Sequence, residues 1–292
     1  MPSNNIRYSV LIPTRARPEL VRCAVLSALA PRHNSEVIIV EDRTQDAVGL
    51  PTQLTSQTGR VRYLRNESGL RGASATRNFG ANAARGKFIV FLDDDDEFVP
   101  GYLDMLNKLF LHPPARWGFA DQVKVASSGV EYRAKSAILR SNHFRRKIAA
   151  MSAGFWIEST LYQAAGGLDS DQTIDEDTDL CCRLIGQGYN PHYCPMDAIR
   201  LNRDPDVARL TSSTDQRQIA ACYLRTYAKN IECCRNDPGA EAYLLLRAHQ
   251  MMCRAGNFAG ARELGKGAER FHVRQMARMQ GMKYQLESRF GV

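Results

Sequence analysis

The chain has 292 residues, a net charge of +8, 44% apolar and 24% charged residues, the proportions of an ordinary globular protein with room for one large α/β domain or a domain with an appendage. No stretch approaches the roughly 18 consecutive apolar residues of a membrane span, and Met1 to Arg7 runs into a strand pattern without the apolar core of a signal peptide, so a cytoplasmic protein is expected. The eight cysteines form no Cys-x-x-Cys pair and have no histidine at zinc-finger spacing, which points to reduced, buried thiols for most of them. The basic excess suits an anionic partner, a phosphorylated substrate or an anionic membrane surface, and equally a solvated basic face.

Tyr8-Ser9-Val10-Leu11-Ile12 predicts a short apolar strand stopped by Pro13-Thr14. Pro18-Glu19-Leu20-Val21 opens a helix with Leu20, Ala24, Ser27 and Ala28 at helical spacing, ended by Pro31. Val37-Ile38-Ile39-Val40 predicts a second strand ending on Glu41-Asp42, and Val61-Arg62-Tyr63-Leu64 a third. Gly69-Leu70-Arg71-Gly72 then feeds a helix from about Ala73 to Ala84. Next, Phe88-Ile89-Val90-Phe91-Leu92 reads as a strand buried on both faces in the middle of a mostly parallel sheet, followed at once by Asp93, Asp94, Asp95, Asp96 and Glu97. The alternation is that of a doubly wound α/β sheet.

Open sheets bind ligands beyond the carboxyl ends of their strands. Here polar chemistry arrives at several such ends: Pro13-Thr14-Arg15, Glu41-Asp42 and Asp93 to Asp96. Adjacent carboxylates repel one another, and a hard divalent cation held against a phosphorylated ligand relieves that repulsion; an acidic surface turn is the plainer alternative. The helix after Gly72 offers amides to a phosphate, with Arg71 at its start and Arg77 one and a half turns in, although surface salt bridges account for either arginine as well.

Tyr102 to Leu111 has helical spacing, Trp117 to Val123 returns as a strand, and the polar stretch Lys124 to Lys147 reads as an exposed excursion or a mobile loop over the site. Gly166-Gly167-Leu168-Asp169 predicts a tight turn. Asp175, Glu176, Asp177 and Asp179 open a helix that buries Leu180 and Leu184; interaction with the helix dipole explains one or two of these carboxylates, not all of them.

In this order the motifs resemble those of the inverting GT-A glycosyltransferases of family 2, nucleotide-sugar enzymes that build bacterial polysaccharides, lipopolysaccharides and glycans. Tyr8 to Leu20 is similar to the family's opening strand and Pro-Thr-Tyr-Asn turn, with Arg15 and Ala16 in place of Tyr and Asn. Val40-Glu41-Asp42-Arg43-Thr44 is similar to Val-Asp-Asp-Gly-Ser, whose second Asp recognises uracil. Gly72 to Asn78 is similar to the Ala-Arg-Asn helix, Phe91 to Asp96 to the Asp-x-Asp motif, and Gly166 to Asp169 with Glu176 to Leu180 to Gly-Gly-Phe-Asp and Glu-Asp-x-Asp-Leu. The resemblance spans Tyr8 to Arg203.

It implies a GT-A domain over residues 1–212, with a Rossmann-like, mostly parallel central sheet flanked by helices, and a helical extension over 213–292. It also implies metal-dependent transfer of a sugar, with inversion, from a UDP-sugar to a hydroxyl of a saccharide or lipid-linked acceptor; no nucleic-acid partner is expected. On this match Asp177 is the catalytic base with Glu176 beside it, and Asp95, supported by Asp96, holds Mn²⁺ or Mg²⁺. The donor site draws on Pro13, Thr14, Arg15, Asp42, Gly72, Arg77, Asp93 near the ribose, and Asp94. One departure stands out: relatives carry Arg-x-His after the strand following the base helix, whereas this chain has Ile199-Arg200-Leu201-Asn202-Arg203. His192, on the preceding strand, reads as a packed or hydrogen-bonded residue, and Arg200 or Arg203 as a phosphate contact. Two rivals stay open. A non-catalytic binding module on the same fold is disfavoured by intact Asp95 and Asp177; a sugar nucleotidyltransferase should carry a Gly-rich basic loop after its first strand, and Pro13-Thr14-Arg15-Ala16-Arg17 has no glycine.

From Thr214 the pattern is helical, broken at Asn236-Asp237-Pro238-Gly239 and again at Gly256-Asn257, with helices over Ala240 to Ala255 and Phe258 to His272 forming an αα-hairpin. Arg270, Arg274 and Arg278 interleaved with Phe271, Met276, Met279 and Met282 make a basic amphipathic helix. It suits peripheral contact with the inner face of a membrane, a second subunit in a homo-oligomer, or packing on the catalytic domain.

Overall fold

The computed structural model describes residues 6–15, 17–29, 34–42, 54, 59–125, 131–133, 144, 147–202, 214–268 and 271–290. The chain divides into two compact units. One comprises Met1–Ala137, Ala149–Leu180 and Tyr189–Val207; the other Ile138–Ile148, Cys181–Gly188 and Ala208–Val292. The boundary expected between residues 212 and 213 lies outside the described residues.

Among the described residues the first unit is built on a nine-stranded sheet. Its strands are β1 (Tyr8–Thr14), β2 (Ser35–Glu41), β3 (Val61–Arg65), β4 (Phe88–Phe91), β5 (Asp96–Phe98), β6 (Trp117–Val125), β7 (Glu131–Arg133), β8 (Trp156–Glu158) and β9 (His192–Asn202). They lie in the order β3-β2-β1-β4-β8-β6-β9-β5, with β7 paired to β6. The neighbours β3, β2, β1 and β4 are parallel, and β8 is antiparallel to both β4 and β6, so β6 and its parallel partner β9 run the same way as β4. Only β5, β7 and β8 oppose that direction among the described strands.

Hydrophobic continuity places β4 at the centre. Phe88, Ile89, Val90 and Phe91 are each 0% exposed, as the unbroken apolar run predicts. The Phe88 ring stacks on Phe110 at 4.0 Å and meets Trp156 edge-on at 5.8 Å; truncating such a side chain to Ala costs about 3–5 kcal/mol. Helix α1 (Pro18–Leu29) buries Val21, Ala24, Val25 and Ala28 against this core. Helix α2 (Ala73–Ala83) comes so close to the sheet that a Cβ on Gly80 would lie 2.2 Å from Leu11 and 2.6 Å from Val40. Only glycine permits that approach. Helices α3 (Tyr102–Leu109) and α4 (Ser159–Ala164) follow β5 and β8, and α5 (Glu176–Gly186) carries the second acidic cluster.

After β1 the chain goes to β2 and β3 on one side and only later returns to β4 on the other. The crevice outside the β1 and β4 carboxyl ends is therefore a topological switch point, where ligands of open α/β sheets bind. The site follows from that crossing.

The second unit holds α6 (Gln216–Lys229), α7 (Ile231–Asn236), α8 (Pro238–Arg254), α9 (Phe258–Gly267) and α10 (Phe271–Phe290). Asp215 and Asp237 cap α6 and α8 through the amides of Arg217 and Gly239, and Pro238 occupies the first turn of α8, where its missing N–H costs nothing. The helix expected over Phe258 to His272 is two helices: Ala268 adopts an extended conformation after Gly265 and Gly267, poor helix formers that weaken the end of α9. Ala242, Leu245, Ala268 and Val273 form the core between α8 and α10. Of the polar stretch Lys124–Lys147, Glu131–Arg133 pair with β6 as β7 and most of the remainder lies outside the described residues.

Candidate active site

At the switch point the end of β1 meets the end of β4: Thr14 Oγ1 donates to Asp94 Oδ2 at 2.7 Å, and Arg17 Nη1 lies 3.5 Å from Asp94 Oδ1. Both Thr14 and Asp94 are buried. Burial raises the Asp94 carboxyl above its ordinary range, partly offset by the Thr14 hydroxyl and Arg17. Pro13 is half-buried and Arg15, just beyond it, is exposed.

Asp93 to Asp96 form a tight turn, closed by the Asp96 amide donating to the Asp93 carbonyl at 3.2 Å. Successive side chains therefore diverge. Asp93 faces α2, Asp94 faces Thr14, Asp95 keeps partial exposure at the turn, and Asp96 is buried as it enters β5 opposite Leu201.

Asp42 follows β2. Its Oδ2 accepts from the Gly72 amide at 3.1 Å, while its Oδ1 is buried with no hydrogen-bond partner among the described residues. Gly72 precedes α2 at φ +94°. Beside Asp42, Glu41 accepts a hydrogen bond from Tyr63, whose hydroxyl is raised by burial and by that carboxylate.

Arg77, on α2, joins the two acidic clusters. Its Nη2 donates to Asp93 Oδ1 at 2.6 Å and its Nη1 to Glu176 Oε1 at 2.7 Å, and the residue is 6% exposed. Burial opposes the charge, but Asp93 and Glu176 outweigh it and hold the guanidinium above its ordinary value. The sequence left this arginine between a phosphate contact and a surface salt bridge; it is an internal tie. Arg71 is exposed.

The next residue, Asn78, fixes the turn that leads toward α5. Its Nδ2 donates to the Leu168 carbonyl at 2.7 Å, and its Oδ1 accepts from the Leu168 amide at 2.9 Å and the Tyr162 hydroxyl at 2.6 Å. A Cβ on Gly167, at φ +66°, would lie 2.6 Å from that Oδ1, so this turn requires glycine on both counts.

The chain enters α5 through Asp175 in the left-handed region at φ 57°, uncommon outside glycine though tolerated by Asp. Asp177 then accepts from the Met151 amide through Oδ2 at 3.2 Å and from the Thr178 amide through Oδ1 at 2.7 Å. Burial, then repulsion from Glu176 and Asp175, pushes its carboxyl up to about 8, against the opposing pull of the Thr178 amide and Arg77. Such a group exchanges a proton near neutral pH, as a general base must. Asp179 is fully buried.

The strand expected after the base helix and the one expected to carry His192 are a single strand, β9. His192 begins it and Arg200 lies near its end, opposite Glu97 of β5. The two are separated by roughly 25 Å of extended chain, and only the Arg200 end points toward the acidic turn. Arg203 lies outside the described residues. Sequence reasoning missed Arg17, Asn78 as a brace, and Met151, whose contribution is a backbone amide.

A sequence profile described as glycosyl transferase family 2 matches residues 9–167, which takes in β1, the Asp42 strand end, α2 and the acidic turn. The chain belongs to this family. Among relatives, an uncharacterized glycosyltransferase of Haemophilus influenzae is 26% identical over 266 residues, 83% of this chain and 84% of its own length. The GalNAc(5)-diNAcBac-PP-undecaprenol β-1,3-glucosyltransferase of Campylobacter jejuni is 32% identical over 102 residues, 34% of this chain and 33% of its own. The crystal structure of S. aureus TarS 1-349 in complex with UDP-GlcNAc superposes with a TM-score of 0.68 over 98% of this chain and 92% of that one, at 13% identity. That likeness is one of fold, and the fold is GT-A. This family 2 glycosyltransferase thus carries its acidic residues where the fold's strand ends converge.

Proposed function

We propose that the protein transfers a sugar, with inversion, from a UDP-sugar to a hydroxyl of a saccharide or lipid-linked acceptor, in the cytoplasm and with a divalent cation, as a step of polysaccharide assembly. The observation that carries this reading is the Arg77 bridge, which holds the base helix beside the acidic turn. In the proposed reaction ionised Asp177 takes the proton of the acceptor hydroxyl as that oxygen bonds to the anomeric carbon, and the bond from that carbon to the diphosphate breaks on the opposite face. Glu176, spent on Arg77, positions the helix and its neighbour rather than moving the proton.

Donor recognition rests on Asp42, whose unpartnered Oδ1 suits the N3 proton of uracil, a proton cytosine lacks. Pro13, Thr14, Arg15, Gly72, Asp93 and Asp94 are proposed to complete the donor site, with Thr14 bonded to Asp94, Gly72 to Asp42 and Asp93 to Arg77. That TarS is seen with UDP-GlcNAc supports a uridine donor, and the name of the Campylobacter relative supports a lipid-linked acceptor.

The donor set fits a hard cation. No three His, Cys, Asp or Glu side chains form a cage among the described residues, and Mg²⁺ or Mn²⁺ typically takes one or two carboxylates and completes its shell from phosphates and water. Asp95, backed by Asp96, would hold it. When bound, the ion supplies positive charge to the departing diphosphate.

The catalytic domain is proposed to span residues 1–212 and the helical extension 213–292. No helix among the described residues is long and apolar enough to cross a membrane. Peripheral attachment through α10 is favoured by Met276, Met279 and Met282, exposed by 51%, 67% and 49%; sedimentation with anionic vesicles at low salt tests it, and full-length protein left in the supernatant contradicts it.

The donor reading is tested by thermal unfolding with UDP, CDP and GDP, each with and without Mn²⁺. Protection by UDP that requires Mn²⁺ and exceeds that by CDP supports the reading. Equal protection by all three nucleotides rejects it.

A further inference from the structure

A cavity of about 540 Å³ opens between α8, α9 and α10, in a unit that contributes none of the residues assigned to sugar transfer. That volume is typical of small-molecule pockets. Its floor is apolar and small-sided: Ala261 and Ala277 are buried, and Gly265 and Gly281 lie beside them. Phe258 and Met282 add apolar walls. His249 is also on the floor, 3% exposed, with Nδ1 engaged by Gln280 at 2.9 Å. Burial lowers the basicity of that imidazole, against the opposing hydrogen bond of Gln280.

The other lining residues give the cavity its sign. Arg262, Lys266, Arg274 and Arg278 all line it, and no carboxylate does among the described residues. Arg274 is fixed by donating to the Ala268 carbonyl at 2.8 Å, and Lys266 shares its charge with Glu263 at 2.8 Å on the exposed side. Arg262 and Arg278 are exposed. A small neutral sugar would find few neutral polar groups here, Gln275 and Gln285 being the side-chain amides, and a cation would be repelled.

We propose that this cavity binds an anionic amphiphile: the phosphate ester of a hydrocarbon chain, with the phosphate among Arg262, Arg274 and Arg278 and the chain on the floor formed by Ala261 and Ala277, against the Met282 wall. Charge complementarity selects the head, since guanidinium groups present paired donors to phosphate oxygens. Burial of apolar surface selects the chain, at about 0.8 kcal/mol, roughly fourfold in affinity, per buried methylene. The inference does not depend on the transfer reaction, so either can fail alone.

The test is calorimetric titration of the full-length protein with dodecyl phosphate below its micelle concentration, beside inorganic phosphate and dodecanol. Saturable one-to-one binding of dodecyl phosphate, at least tenfold tighter than either fragment, is expected. The double variant Arg262→Glu, Arg278→Glu should weaken it at least tenfold. Gly281→Leu should abolish it by filling the cavity; the added Cβ meets His249 at 3.5 Å, an ordinary contact, and an unchanged unfolding midpoint confirms that the helix is intact. No saturable binding, equal affinity for inorganic phosphate, or binding indifferent to both variants overturns the proposal. Anionic vesicles separate a free ligand from a surface: if they sediment wild type and Gly281→Leu alike while monomeric dodecyl phosphate does not bind, adsorption on the helix exterior replaces the cavity.

Discussion

Arg77 Nη1 donates to Glu176 Oε1 at 2.7 Å, linking side chains 99 residues apart in the sequence. Because the same guanidinium also holds Asp93, one buried cation fixes the spacing of two acidic clusters that would otherwise repel. Removing it leaves two carboxylates facing each other without a counter-charge. Arg77→Met should destabilise the fold by about 3–5 kcal/mol, the usual cost of breaking a buried pair from one side. Urea unfolding measures this directly, and Arg77→Lys should recover only part of it because a lysine cannot span both partners in the same geometry.

In the proposed reaction Asp177 sets the pH dependence. Its carboxyl titrates near 8 in the folded protein, so kcat/KM should climb with unit slope from pH 6 and level off above about 8. The stability effect has the opposite sign. The folded state binds this proton more tightly than the unfolded chain, whose ordinary carboxyl has lost it by about pH 5; stability from this group is therefore greatest at low pH and declines as pH rises from about 4 to 8. Asp177→Asn should lower kcat about 10²–10⁴-fold and remove that limb while UDP affinity is unchanged. A preserved pH limb in the variant would assign the titration elsewhere.

Asp42 leaves one buried oxygen without a partner among the described residues. Asp42→Ala should weaken UDP binding by about 1.5–3 kcal/mol, the worth of a hydrogen bond to a charged group, with little change in melting temperature. Equal binding of UDP and CDP by the unmutated protein would remove the basis for this assignment.

Asp95→Asn should weaken Mn²⁺-dependent UDP binding about 10–100-fold and reduce turnover in parallel, since in the proposed site one carboxylate serves both. The check is titration of UDP at fixed Mn²⁺ against the same titration in EDTA, where wild type and variant should coincide.

Much of the first unit is legible in the sequence because its strands are uninterrupted apolar runs. Phe88 to Phe91 and Val37 to Val40 are strands where the run predicts them, and the Gly166-Gly167 turn is recognisable from a dipeptide that tolerates positive φ. Shorter pieces were not legible. Trp156–Glu158 and Asp96–Phe98 become strands through pairing with β4 and β9, partners that no local pattern reveals. In the site, Asp93 to Asp96 stand out as a cluster, yet their separate roles depend on a turn that points each side chain differently. Met151 acts through its amide, so its side chain leaves no signal. The burial that tunes Asp177 is a property of packing around the residue, not of Glu176 and Asp175 alone.

The central claim is that Asp177 drives inverting transfer from a UDP-sugar, and the stereochemistry of donor hydrolysis tests it most directly. Proton NMR of the sugar first released from an α-linked UDP-sugar, with Mn²⁺ present, should show the β-anomer before mutarotation, at a rate lowered at least 10²-fold in Asp177→Asn. Initial release of the α-anomer, or an Asp177→Asn rate equal to wild type, would contradict it.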